Sequence, residues 1–487
     1  MEHKVIVIAD SDCYYYDNEQ IPVLLKRNHE IHVPIKQGQK TITLFSLLYG
    51  ESLKEEFSLQ EGAESIKVFF EEKEEALFDD SIPGEEDLQT SVTDAQGNRY
   101  SADWSRLLEA GNGETLTLDT RCRIICCEAF KLRENLRHVI LPEGLERISD
   151  GAFSGCPALE QVDLPSTVTV IGAGSFYRCP ALRSVTLPPH IRYLPISLFE
   201  GCISMTEVVL PKGLLSIGEF AFHHCVALKD IRIPASVSLI GARAFFRCRS
   251  LREIRLPDNV TLIPNGLFDG CSSLREAVLP EHTDTIGPYA FSDCRSLLKC
   301  DLPDSLRIID KDAFDHCERL RRITIPPLVN RIPFRAFADC SALEEVILPS
   351  GLQEIGCRAF SGCTSLRITA IPKSVTVIGN NAFKGCSGLH SFRIPPRLTV
   401  ISDALFSGCT ALEGRMDIPE GVRAIKHGAF ARCTSLKEVS LPRSLEEIEP
   451  WVFYGCESLE RIIIPKELEY IVRPVVESTR QGCIVTV

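Results

Sequence analysis

Phenylalanine returns every 23 residues through most of this 487-residue chain. It stands at Phe130, Phe153, Phe176 and on by the same step to Phe406, then at Phe430 and Phe453 after one unit of 24. A Leu-Pro or Ile-Pro pair keeps the same step from Leu141-Pro142 to Ile464-Pro465. A third apolar column runs Ile148, Ile171, Leu194 and on to Ile471. The unit reads L-x-x-V-x-L-P-x-x-V-x-x-I-G-x-x-A-F-x-G-C-x-x. Counted from its first Leu, sixteen such units fill residues 113–481. Repetition at this period marks a chain built by stacking one small unit on the next, and it excludes an ordinary globular domain over that span.

The physics of one unit is readable. Val139 and Leu141 alternate with Ile140, the period-2 pattern of a short strand, and Pro142, which cannot donate to a ladder, ends it. The glycine after the Ile column, as at Gly172, Gly218 and Gly241, is expected to supply a tight bend. The A-F-x-x-C stretch fits one helical or 3-10 turn on the opposite face. A single unit cannot enclose its own apolar face, so the Phe, Ile and Leu columns become core only when neighbours stack.

These columns resemble the BspA-type, or treponemal-class, leucine-rich repeat, a 23-residue variety found in many bacterial and some protozoan proteins. The resemblance covers residues 113–481 and rests on LPxxVxxIGxxAFxGC recurring nearly intact. It departs from the general leucine-rich pattern just after the strand, where Gly144, Thr167, His190 or Gly213 replaces the usual Asn or Cys ladder. Together, repeat and resemblance imply an α/β solenoid. This would be a leucine-rich repeat stack of about sixteen 23-residue units, with short parallel strands on one face and short helical turns on the other. The resemblance further implies a binding scaffold, often at a cell surface, and no enzyme activity.

The chain before the repeats differs in charge. The whole sequence has 53 basic and 66 acidic side chains, a formal net charge of −13. Residues 1–112 hold 23 acidic and 10 basic groups, and the remainder 43 of each, so the imbalance belongs to the first 112 residues. An acidic balance disfavours a dedicated nucleic-acid binder. No apolar run approaches the 18 residues of a membrane helix. Short apolar runs at Lys4–Ala9, Ile21–Leu25, Glu30–Ile35, Thr41–Leu48, Ser65–Phe70 and Ser91–Thr93 predict strands. Residues 1–78 are therefore expected to form a small acidic β-rich domain, and 79–112 a linker with one hairpin and an N-terminal cap. Within the latter, Ala102–Leu108, with Trp104, is expected to be a short capping helix. Residues 482–487 are expected to form a C-terminal strand or cap. The start MEHKVIVIADSD lacks a secretory apolar region and the end QGCIVTV a lipidation pattern. The cytoplasm is the expected compartment, with the cell surface by an unrecognised route as the alternative.

Chemical signals are few. Asp10-Ser-Asp12 follows an apolar strand, as a nucleophile and magnesium ligand do in phosphotransferases. No glycine-rich phosphate loop follows, and Asp10, Asp12 and Asp17 around Tyr14–Tyr16 read more simply as a polar turn. Fourteen of the 21 cysteines form one column, three residues after each Phe from Cys156 to Cys456. Stacking brings them to about 5 Å spacing, which a disulfide tolerates. Their parallel side chains and a reducing compartment favour buried free thiols instead. Cys122, Cys126 and Cys127 read as part of an end cap. His223-His224-Cys225 and His316-Cys317 lack the converging pairs of a metal site. No catalytic, cofactor or metal site is expected.

Binding, if any, is expected on the strand ribbon, whose outward side chains form a continuous surface. The position between the paired core residues reads Ile140, Asp163, Thr186, Val209, Arg232, Arg255, Val278, with no visible repeating ligand code. Two residues earlier stand Glu207, Asp230, Glu253 and Glu276, with Lys229, Arg252 and Arg275 adjacent. These rows read as a self-neutralising solvated ribbon or as a recognition patch of Glu207, Asp230, Arg232, Glu253, Arg255 and Glu276. The expected partner is a protein; nucleic acid and membrane insertion are not expected.

Overall fold

In the computed structural model, residues 82–368 and 370–475 are described with their side chains. Seven strands between His3 and Val68, residues 476–477 and Val485–Thr486 are described as backbone alone. The chain forms two compact units, one of Met1–Val226 with Pro234–Ala244, the other of Ala227–Ile233 with Phe245–Val487.

The first unit begins with two sheets. His3–Ala9 pairs antiparallel with Glu30–Ile35 and parallel with Ser65–Val68. Cys13–Tyr16 lies between Pro22–Leu25 and Thr41–Ser46, antiparallel to both, and Lys54–Ser58 completes that sheet. A strand thus replaces the turn expected at Tyr14–Tyr16, where three consecutive tyrosines favour extended backbone. Asp10, Asp12 and Asp17 lie outside the described residues.

Between these sheets and the repeats stands a helix, Glu85–Thr90, that the acidic composition concealed. Its first turn carries Glu85, Glu86 and Asp87, where the helix dipole favours negative charge, and the Gly84 N–H donates to the Asp87 carboxylate at 2.9 Å. The expected hairpin follows, Val92–Thr93 against Arg99–Tyr100. The expected capping helix over Ala102–Leu108 is instead the strand Arg106–Glu109, antiparallel to Arg99–Tyr100 and parallel to Ile124–Ile125. The first repeat leaves a row of unpaired backbone groups, and a strand satisfies them as no helix can; the Cys126 N–H reaches the Leu107 C=O at 3.0 Å.

Within each unit the repeats stack through three hydrogen-bonded ladders. The first joins the V-x-L strands in parallel, as Thr115–Thr117 with His138–Ile140, with the middle residue buried and its neighbours exposed. Pro142 ends the strand and opens a turn, its C=O accepting the Leu145 N–H at 3.1 Å. The second ladder joins the Ile column, as Arg147–Ile148 with Val170–Ile171. The third lies on the Phe side, where the expected short turns close by i→i−3 bonds, as from the Cys202 N–H to the Phe199 C=O at 3.1 Å, and do not run on into a helix. Alternate N–H groups, from Glu128, Phe130 and Leu132, donate to Asp150, Ala152 and Ser154 of the next repeat. Positive φ two residues before and two after each Phe (60° at Glu128, 58° at Leu132) breaks the helix and turns these donors along the stack. The glycine of A-F-x-G-C fits that second position, as at Gly155 with φ 70°. Glycines after the Ile column open the bend expected of them, the Gly218 C=O accepting the Ala221 N–H at 3.3 Å, but not by positive φ. Gly172 and Gly218 lie outside the left-handed region, but a Cβ there would come within 2.4 Å of Asp150 N and 2.7 Å of Leu194 O. Close approach of successive turns selects them.

The core between the ladders is fully buried. Phe153 and Phe176 stack at 5.2 Å with rings 5° apart, and Phe314, Phe337 and Phe360 do so at 5.3 and 5.6 Å. The last unit departs from the pattern. After Ile464-Pro465 the chain enters a 3-10 turn and the helix Glu469–Glu477, burying Leu468 and Val472. Val485–Thr486 then pairs parallel with Ile463–Ile464. Counted over both units, the stack has about fifteen Phe turns.

Candidate functional site

The outward face of the first ladder is the candidate site, because the strand's alternation leaves two side chains per turn facing solvent. Glu207 is exposed on the strand Glu207–Val209 of the first unit. The other five residues of the expected patch lie in the second unit. Glu253 and Arg255 flank buried Ile254 in one strand, and Glu276 pairs in register with Glu253 while Val278 pairs with Arg255. Asp230 and Arg232 are exposed on a stretch without assigned strand, held to the next turn by the Arg252 N–H donating to the Lys229 C=O at 3.1 Å. The Arg275 N–H continues that link to the Arg252 C=O at 2.7 Å.

This geometry sets charges of one sign in rows along the stack: Lys229, Arg252 and Arg275, then Asp230, Glu253 and Glu276, then Arg232 and Arg255. Neighbours within a row stand about one strand spacing apart, near 4.8 Å, and like charges so placed oppose each other. Elsewhere on the second unit's ribbon, opposite charges meet: Arg322 with Glu345 at 3.3 Å, and Arg415 and Arg461 with Glu438 at 3.1 and 3.3 Å. In the rows at 229–276, Glu276 has such a partner, Lys299 at 3.6 Å. Lys229, Arg232, Arg252, Arg255 and Arg275 form no ion pair among the described residues. The acidic row Asp230, Glu253 and Glu276 runs between these two basic rows without closing an ion pair to any of the five.

One recurring signal was hidden by reading units singly. The outward apolar residues Ile140, Val209, Val278 and Ile347 fall 69 residues apart, three units each time. Ile140, Val209 and Ile347 are 56%, 46% and 38% exposed. The same three-unit step governs the place of the missing Asn ladder. Thr167, Ser236, Ser305 and Ser374 each donate a hydroxyl to the preceding turn, to the C=O of Leu145, Leu214, Thr283 and Leu352 at 2.5–2.6 Å. Pro195, Pro264 and Pro333 keep the step as well. The ribbon does carry a repeating pattern, and aligning the units in threes exposes it.

The other chemical candidates resolve into structure. No disulfide joins the described cysteines, and the column is buried. Its thiols do more than fill space: Cys156 Sγ donates to the Phe130 C=O at 3.0 Å and Cys363 Sγ to the Phe337 C=O at 3.1 Å, each reaching back one repeat. Burial pushes the Cys156 thiol up to about 11 and those of Cys202 and Cys409 up to about 12, removing the thiolate that metal binding or nucleophilic attack requires. Cys122 and Cys126 are buried beside the capping strand. His223 Nδ1 stands 3.1 Å from Glu200, and burial pushes its pKa down. On the turn side, Asp315, His316 and Asp339 bring three possible ligand atoms within 4.8 Å of one another. Arg335 already supplies positive charge there, 3.1 Å from Asp312, 2.8 Å from Asp315 and 3.7 Å from Asp339.

Short parallel strands on one side, hydrogen-bonded turns on the other and a buried column between them define a leucine-rich repeat solenoid. The chain belongs to the BspA-type leucine-rich repeat family, whose model matches residues 108–212, 193–321, 307–416 and 414–479. Similar solved structures include a leucine-rich repeat protein of Bacteroides ovatus, 22% identical, covering 82% of this chain and 90% of its own, with TM-score 0.49. A leucine-rich cell surface protein of Faecalibacterium prausnitzii is 23% identical over 76% of this chain and 94% of its own, with TM-score 0.40. The pneumococcal vaccine antigen PcpA is 16% identical over 81% of this chain and 87% of its own, with TM-score 0.38. No curated protein matches the chain. No helix among the described residues is long and apolar enough to cross a membrane.

Proposed function

We propose that the protein is a non-enzymatic scaffold that binds another protein through the strand ribbon of its solenoid. The observation that carries this reading is the set of five exposed cations, Lys229 to Arg275, that the fold holds in rows and leaves without ion pairs. Rows of like charge cost folding stability, and a partner that meets them recovers that cost on binding. Membership of a family of repeat scaffolds supports the same reading. The buried thiol column suits a reducing compartment, so the cytoplasm accompanies this proposal; recovery of the chain at the cell surface in fractionation would replace it with an adhesive role.

The test uses the immobilised full chain, the variant Arg232→Glu with Arg255→Glu, and a turn-side control, Arg358→Glu. Protein partners retained by the parent and the control but lost from the ribbon variant are expected. Equal retention by all three would contradict the proposal. A magnesium-dependent phosphatase activity lost in Asp10→Asn would instead favour an enzyme.

A further inference from the structure

Resting on the proposed binding role of the ribbon, the geometry points to the chemistry of its partner: an extended acidic peptide segment with apolar side chains at every fourth residue. Two features of the second unit carry this, one of charge and one of spacing.

The charge feature is the pair of basic rows, Lys229, Arg252 and Arg275 on one side and Arg232 and Arg255 on the other, all exposed and without ion pairs among the described residues. Between them runs the acidic row Asp230, Glu253, Glu276. A polyphosphate backbone laid across these rows would meet carboxylates as well as cations, and it has no donor to offer them. A peptide has both groups: carboxylate side chains for the arginines and main-chain N–H groups for Asp230 and Glu253. That mixed surface favours a polypeptide over a nucleic acid.

The spacing feature is the step from Val278 to Ile347, three turns along the same unit. Three strand spacings make about 14 Å. An extended chain advances about 3.4 Å per residue and shows the same face every second residue, so four residues cover about 13.6 Å and return to that face. A helix rises about 1.5 Å per residue and would need nine to ten residues, ending on a different face. Apolar side chains at i and i+4 of an extended segment therefore meet Val278 and Ile347 together. Between these two turns stand Asp301, which is held by Lys299 at 2.9 Å, and Thr324. The acidic part of the segment lies over Arg232 and Arg255, the two turns before Val278. From Arg232 to Ile347 is five turns, about 24 Å, or roughly seven extended residues.

The experiment selects phage-displayed random 16-residue peptides on the immobilised full chain. Each selected peptide is then measured by fluorescence anisotropy against the parent, against Arg232→Glu with Arg255→Glu, and against Val278→Asp with Ile347→Asp. Circular dichroism melts confirm that both variants stay folded, as changes confined to outward side chains should allow. The expected result is a selected motif of Asp and Glu followed by apolar residues four apart, with affinity falling at least tenfold in each variant. Basic motifs, helical i, i+3, i+7 spacing, affinity unchanged in the variants, or no selected peptide would each overturn the assignment. So would a labelled oligouridylate that binds the parent more tightly than the selected peptides do. Where the partner capture described above remains ribbon-dependent while this selection fails, the scaffold role stands and only the partner's chemistry is wrong; failure of both removes the role itself.

Discussion

At the scale of single residues, the column cysteine shows how one position combines two physical demands. It is small enough for a close-packed stack, and its S–H satisfies a carbonyl of the preceding repeat, as Cys363 does for Phe337. A methyl group keeps only part of the first and none of the second. Cys363→Ala is therefore expected to destabilise the chain by about 1–3 kcal/mol, read from the shift of a denaturant melt. Phe337 stacks between Phe314 and Phe360 with no exposure, and Phe337→Ala should cost about 3–5 kcal/mol in the same measurement. Because burial raises their pKa, Cys202 and Cys409 should resist a thiol reagent at pH 7.5 until the protein unfolds, whereas exposed Cys357 should react at once. Peptide mapping after timed labelling checks this, and equal rates in the folded protein would contradict it. The burial of this column was legible because a 23-residue recurrence of one residue type leaves little else for it to do. Its hydrogen bond was not, because the acceptor lies 26 residues earlier and depends on how the backbone turns.

At the scale of elements, the turn side holds a charge cluster whose pH response follows from burial. Asp312 and Asp315 are buried, and desolvation raises both pKa values although Arg335 pulls them down. Arg335→Ala would strip the guanidinium from two buried carboxylates, Asp312 keeping its Tyr289 hydrogen bond, at a cost of about 3–5 kcal/mol near pH 7. Both acids already take up protons above the ordinary carboxylate range near 4, and they would do so at higher pH still without the arginine. Acidification then neutralises them, so the difference between parent and variant should shrink as pH falls from 7 toward 4. Melts at both ends of that range check the sign, and a gap that widens on acidification would contradict it. The elements themselves were unevenly legible. Strands such as Glu30–Ile35 follow their apolar runs, while Arg106–Glu109 was misread because its partner is the open edge of the first repeat, which a local pattern does not show. Helix Glu85–Thr90 was hidden among acids that also suit a linker.

At the scale of the whole molecule, the operative repeat is three units long. Ser305 closes on the Thr283 C=O, and Ser374 would stand in its place after removal of residues 297–365. Removal of 297–319 alone would put Leu328 there and bring unlike units together. The 69-residue deletion should therefore melt at a higher temperature than the 23-residue one, though it is shorter; the reverse order would refute the triplet. The single-unit period was plain from Phe alone, whereas the triplet emerged from a hydroxyl ladder and from the exposed side chains of Ile140, Val209 and Ile347. The same triplet and the unpaired cations together underlie the proposal that the ribbon is the binding face. Hydrogen exchange read by mass spectrometry, on the full chain with and without a captured protein partner, tests that claim most directly. Protection concentrated over residues 229–278 and 345–347 is the predicted result. Protection confined to the Phe turns, or to residues 1–112, would contradict it.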